Sequence, residues 1–105
     1  MRQGPLAVDL EARVAWYDTT ELPLTKIEFD LLVTMMGNPR RVWRRETLLN
    51  IVWGGQWSDH HVVEVHIGNL RRKLTDVAPE GAQQIKTVRG IGYRMIQPEP
   101  QPFAG

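Results

Sequence analysis

Three consecutive cations, Arg71-Arg72-Lys73, close a segment whose spacing says more than its charge. Within Val63-Glu-Val-His-Ile-Gly-Asn-Leu-Arg-Arg-Lys-Leu74, the residues Val63, Ile67, Leu70 and Leu74 recur at the period of one α-helical stripe. At about 100° per residue, His61, Val65, Asn69 and Arg72 fall on the opposite face, with Arg71 and Lys73 flanking it. A helix anchored by one apolar edge, with an amide, a methyl-bearing side chain and cations outward, suits a polyanion. Asn matches the N6/N7 edge of adenine, and Val offers an apolar contact to a thymine methyl. If Asn69 reads a base, adenine is therefore expected. A run of three cations is ordinarily a solvated face. The helix geometry directs at least one of Arg71, Arg72 and Lys73 at phosphate.

A second cluster follows at once. Lys86-Thr-Val-Arg-Gly-Ile-Gly-Tyr-Arg94 reads as a β-hairpin with a basic tip, its Gly90 and Gly92 permitting positive φ. Arg89 at such a tip can enter a narrow minor groove, where the negative potential is enhanced. Arg94 adds a further cation for the DNA backbone. Helix plus basic hairpin is the plan of a winged helix that reads double-stranded DNA.

Rival chemistries fail on spacing. His61 and His66 are five apart and point to opposite sides of the helix, so with His60 they form no metal site. His66 is expected at the boundary with the sheet or wing. Gly90-Ile-Gly92 precedes a strand, whereas a phosphate-binding loop leads into a Lys-Ser/Thr helix start. Ser58-Asp59-His60 places triad residue types side by side, which is not triad geometry. No catalytic group, cofactor or metal is expected.

The chain has 105 residues, enough for one domain with a core burying roughly 65% of its unfolded surface. It has no cysteine, which excludes disulfides and thiolate metal sites and agrees with a cytoplasmic setting. No apolar run approaches the ~20 residues of a membrane helix, and no membrane partner is expected. Net charge is only +1, but its distribution is uneven: residues 1–39 hold three basic and six acidic residues, residues 40–105 ten basic and six acidic. The positive half contains the helix and the hairpin.

The elements that must position these residues are legible. Residues 1–5 read as linker, 6–97 as the domain and 98–105 as a flexible Pro-rich tail. Leu6, Val8 and Leu10, then Val14 and Trp16, alternate as a small antiparallel sheet turning at Glu11-Ala-Arg13, with a short edge strand at Glu21–Leu24. Thr25-Lys-Ile-Glu28 is a capping box for a helix over Lys26–Met36, with Gly37 able to adopt the left-handed cap. A second helix spans about Arg45 to Trp53, with Leu48, Leu49, Val52 and Trp53 inward, and the third closes near Thr75-Asp76. Strands over Gln84–Val88 and Tyr93–Gln97 form the hairpin. The fold class is α+β: a winged helix-turn-helix with an N-terminal antiparallel sheet, three helices and a C-terminal wing.

In this order, Leu24-Thr25…Glu28…Leu31-Leu32, Asn38-Pro39-Arg-Arg-Val42, Arg45-Glu46…Leu48-Leu49…Val52-Trp53-Gly54, the segment Val63–Leu74 and Thr87–Arg94 together resemble the OmpR/PhoB-type effector domain of bacterial two-component response regulators. The resemblance implies a four-stranded N-terminal sheet and sequence-specific DNA binding in transcription regulation. It places Val65 and Asn69 at base edges in the major groove and Arg89 toward the minor groove. It puts Arg41, Arg45, Trp53, His61, Arg71 and Thr87 near backbone phosphates, and a loop including Gly55, Gln56 and Trp57 facing RNA polymerase. Such domains bind direct-repeat half-sites as tandem pairs, so a monomer is expected in isolation. They normally follow a phosphorylatable receiver domain; none fits in these residues, and an excised effector domain is the expectation. Departures from the pattern are Glu64 for the usual Asp, Arg44 at the usual Ser/Thr cap, and Gly68-Asn69 for a pair often basic. The rival is a winged helix serving as a protein-interaction module, with Trp57 on its contact loop.

Overall fold

The computed structural model describes residues 1–54 and 59–96. Four short strands come first: β1 (Arg2–Gln3), β2 (Leu6–Asp9), β3 (Val14–Tyr17) and β4 (Thr20–Glu21), each antiparallel to the next. Within residues 1–5, read as linker, Arg2 and Gln3 form an edge strand: Arg2 pairs with Ala7 and Gln3 with Leu6, with Gly4 in the turn between at φ 58°. The β2–β3 register sets Leu6 opposite Tyr17 and Val8 opposite Ala15, and these four are the buried set. The alternation read from the sequence ran through Val14 and Trp16, which are half-buried; the buried parity of β3 is Ala15 and Tyr17. Because side chains alternate, a one-residue slip turns the whole strand over. Leu10 lies past the end of β2 and is exposed. The edge strand forms at Thr20–Glu21, ahead of Pro23, since Pro has no N–H for a ladder.

The first helix, α1 (Lys26–Met36), starts as its capping box requires. Thr25 Oγ1 accepts the Glu28 N–H at 3.2 Å, and Glu28 Oε1 accepts the Thr25 N–H at 2.9 Å. Gly37 ends it in the right-handed region, φ −65°, with its N–H on the last carbonyls, so the expected left-handed cap is not used. After β5 (Trp43–Arg44) comes α2 (Arg45–Trp53), which Gly54 terminates at φ 67°. Arg44 gives α2 no side-chain cap, forfeiting about 1 kcal/mol relative to Ser or Asp. Helix α3 (His61–Val77) is longest. A 3-10 turn, Gly81–Gln84, leads to β6 (Ile85–Val88) and β7 (Gly92–Met95).

Strands β6 and β7 form the hairpin, and β5 adds to the free side of β7, giving the order β5-β7-β6. Only Gly90 uses a positive φ, 77°, in the turn. Gly92 is needed for another reason: a Cβ there would lie 1.9 Å from the Trp43 carbonyl oxygen, so β5 closes on bare backbone. The tail expected over 98–105 lies outside the described residues.

The core lies where α1, α3 and the inward faces of both sheets meet. Val63, Ile67, Leu70 and Leu74 of α3 are wholly buried beside Leu31, Leu32 and Met35 of α1. Each fully buried side chain of this kind contributes roughly 1.5–3 kcal/mol. One charged pair accompanies them. Lys73 of α3 meets the buried Glu28 carboxylate and donates to the Pro23 carbonyl at 2.8 Å. Burial alone would push the Glu28 carboxyl up, but hydrogen bonds from Lys73 and the Thr25 N–H outweigh it and hold the group below its ordinary 4.5. A carboxylate with a depressed native pKa stabilises the fold above its unfolded value and loses that contribution as pH falls through the native one. Stability measured by denaturant titration is therefore expected to drop below about pH 4.5, with Glu28→Gln flattening that part of the profile. Lys73→Met, which strands the buried carboxylate, is expected to cost about 3 kcal/mol at pH 7.

Candidate nucleic-acid interface

Helix α3 is gripped on three sides. Its apolar stripe is buried. On the flank toward α1, Lys73 is only 18% exposed and is spent on Glu28 and Pro23. On the flank toward the hairpin, the Arg71 guanidinium donates from Nε and Nη2 to the Ile85 carbonyl at 3.1 and 2.8 Å, and from Nη2 to Thr87 Oγ1 at 2.7 Å. Its Cζ lies 5.4 Å from the Tyr93 ring centroid, a cation–π distance. Burial lowers the Arg71 pKa, with Tyr93 opposing, yet a guanidinium stays protonated. Arg71 and Lys73, both expected on phosphates, are thus internal ties. Thr87 is outward but occupied by Arg71.

The fourth side is bare. His61, Val65, Gly68 and Arg72 are exposed and Asn69 is half-buried on that face. Val65 is 45% exposed, a large value for an aliphatic residue in the middle of a helix. His61, Val65, Asn69 and Arg72 are the residues that helical spacing alone assigned outward, and the structure brings them together; Gly68, between them, was not in that set.

The approach from α2 is more occupied than the sequence suggested. Arg45 is 23% exposed; its Nε lies 3.0 Å from Glu64 Oε1, out of line for a hydrogen bond, and its Cζ 5.3 Å from the Tyr93 centroid. The other Glu64 oxygen is 3.3 Å from His61 Nδ1. Trp53 is half-buried, packed edge-on against His66 at 5.3 Å and 75°. His66 therefore sits between α2 and α3 and not at the sheet or wing, with Nδ1 donating to the Val62 carbonyl at 2.8 Å. Arg41 is exposed and stacks 4.2 Å over the Trp43 ring. Arg94 lines a separate cleft with Gln3, Pro39 and Arg40, away from the hairpin tip. Gly55, Gln56 and Trp57 lie outside the described residues.

Arg89 is exposed beside the positive-φ Gly90 at the hairpin tip. That tip and the start of α2 share a cleft of about 280 Å³ lined by Arg44, Arg45, Glu46, His60, Gly90 and Ile91. Arg44, His60 and Ile91 were not among the DNA-contacting residues expected from sequence. A signal for Arg44 did exist: a cation at a helix N-cap opposes the dipole and offers no acceptor, so it is a poor local choice. Among the described residues, no group of three or more His, Asp or Glu is placed to hold a metal ion, and no helix is long and apolar enough to cross a membrane.

The family described as "Transcriptional regulatory protein, C terminal" matches this sequence over residues 19–95, which takes in everything from the N-terminal sheet's edge to β7. The chain belongs to this family. It is 38% identical over 96 residues to the DNA-binding response regulator MtrA of Mycolicibacterium smegmatis, covering 90% of this chain and 42% of that protein. It is 44% identical over 91 residues to the transcriptional regulatory protein PrrA of Mycobacterium leprae, covering 86% and 38%. The chain thus spans about two fifths of the length of these relatives. The Klebsiella pneumoniae RstA DNA-binding domain, solved in complex with the RstA box, superposes with a TM-score of 0.78 at 31% identity, covering 90% of this chain and 94% of that one. The winged-helix architecture is accordingly that of response-regulator DNA-binding domains.

Adjacent cations on α3 should behave differently. Arg71→Ala is expected to destabilise the domain by about 2 kcal/mol, through lost charged hydrogen bonds, and to speed amide exchange in β6. Arg72→Ala is expected to leave stability within about 0.5 kcal/mol of the parent. Thermal denaturation and hydrogen exchange of the two variants check this.

Proposed function

We propose that the chain is a non-enzymatic domain that binds double-stranded DNA sequence-specifically in transcription regulation, as the effector part of a two-component response regulator. The observation that carries this is the bare side of α3: one polar, cation-bearing face on an otherwise clamped helix. In this reading α3 enters the major groove, where Asn69 and Val65 meet base edges, and the hairpin is the wing, with Arg89 in the minor groove. Arg72, Arg41 and His61 take phosphates. Arg44 and Lys86, both exposed, join them. Arg45, tied to Glu64, and Trp53, packed on His66, border the phosphate path. Arg71, Lys73 and Thr87 position the helix and wing.

The relatives' own descriptions support the reading, since MtrA is a DNA-binding response regulator and the RstA domain was solved on its box. Regulation of this kind places the protein with the chromosome in the cytoplasm. It is a monomer in isolation that pairs in tandem on direct repeats, with Gly55, Gln56 and Trp57, which lie outside the described residues, as its contact with RNA polymerase.

Selection from random duplexes is expected to enrich an adenine-containing half-site. Asn69→Ala should weaken binding to the selected duplex by ~1–3 kcal/mol, and Arg89→Ala should also weaken it. Both variants are expected to melt as the parent does. With about five phosphates neutralised, log affinity should fall against log salt with a slope near −4 to −5. Unchanged binding in both variants would count for the protein-interaction alternative.

A further inference from the structure

Among the described glycines, one lies inside a helix with no steric or conformational reason of its own. Gly4, Gly54 and Gly90 hold positive φ. Gly81 and Gly92 are pressed against backbone, where a Cβ would fall 2.5 Å from the Leu74 oxygen and 1.9 Å from the Trp43 oxygen. Gly37 ends α1. Gly68 lies inside α3, outside the positive-φ set, and a Cβ built on it would meet nothing within 4 Å. Glycine inside a helix is unfavourable because the unfolded chain gives up more freedom and no side chain packs in return. Nothing within the described molecule requires it at this position.

Its location supplies the reason. Gly68 follows Val65 by three residues, precedes Arg72 by four and follows His61 by seven, so it lies in the middle of the bare face. Any side chain there would stand between Val65 and Arg72 and set the closest approach of a partner. With none, the helix backbone itself is the surface, and the neighbouring side chains reach correspondingly further.

We propose that Gly68 is a specificity-determining residue whose absent side chain lets α3 seat against the base edges on the floor of a DNA major groove. This rests on the DNA-binding reading above and adds a determinant to it. Specificity at this step comes from closeness: Val65 and Asn69 reach bases only because position 68 does not hold the helix away. Loosely held, non-specific DNA, contacted through phosphates, does not require that close seating.

The test uses the whole chain and a duplex enriched by it from a random pool. Gly68→Ala is expected to raise the melting temperature by roughly 4 °C, as helix propensity dictates. The same variant should bind the enriched duplex about tenfold or more weakly, the scale of one lost base contact, while its affinity for an unrelated duplex stays within about twofold. Gly68→Leu should lose more affinity and still fold. Binding of the enriched duplex by Gly68→Ala within about twofold of the parent overturns the proposal. So does an equal loss on both duplexes. If the parent chain enriches no duplex, the DNA-binding reading itself falls, and this inference with it.

Discussion

From α3, the Lys73 ammonium reaches into a space already framed by the Glu28 carboxylate and the Pro23 carbonyl. Glu28 in turn closes the capping box that starts α1. One carboxylate therefore fixes where α1 begins, how α3 lies across it and where the chain leaves the N-terminal sheet. A buried ion pair is weak evidence for net stability, since desolvation offsets much of the attraction. Its worth here is geometric. The apolar stripe of α3 would be nearly as well buried after a small rotation or slide, because hydrophobic burial is non-directional. The ion pair is satisfied in one arrangement only, and so it selects the rotation that leaves Asn69 and Arg72 outward.

That division of labour explains which parts of the site were legible in the sequence. Helical spacing was enough to assign Val63, Ile67, Leu70 and Leu74 inward and His61, Val65, Asn69 and Arg72 outward, because periodicity is intrinsic to the chain. It was not enough for Arg71 and Lys73, which sit at the boundary between the faces. Their fates depend on what lies alongside: a carbonyl and hydroxyl from β6 for one, a buried carboxylate from α1 for the other. Those partners are 14 and 45 residues away, at Ile85 and Glu28. Three adjacent cations look alike in sequence and diverge in space at about 100° per residue.

The same limit governed the fold. The capping box gave the bounds of α1, and the apolar pattern with Gly54 gave α2, since both are local signals. The N-terminal sheet was recognised as a sheet, but the alternation noted in β3, Val14 and Trp16, is not the buried parity. Val14-Ala15-Trp16-Tyr17 is apolar at every position, so alternation gives no sign of which parity is buried. Pairing with β2 decides it, by setting Ala15 and Tyr17 on the face shared with Val8 and Leu6. Gly92 shows the converse: its residue type was noticed and assigned to turn conformation, whereas the approach of Trp43 requires it. A non-local strand contact was again the missing information.

The proposed reading of two grooves at once requires helix and wing to be held at a fixed separation, and Tyr93 is a residue on which elements from both meet. Its ring, on β7, receives Arg45 from the start of α2 and Arg71 from α3. Arg71 continues to Ile85 and Thr87 on β6, while Glu64 of α3 lies against Arg45. Two cations close to one ring would repel if left alone. Glu64 offsets one, and the Ile85 carbonyl and Thr87 hydroxyl accept from the other. The cost is that two cations near the interface are diverted from phosphate. The gain is that α3 and the hairpin are tied to one another, which the proposed placement of Asn69 in one groove and Arg89 in the other requires. Net charge of only +1 is then no obstacle to binding DNA, because pre-organisation of a few outward cations replaces a large unpatterned excess.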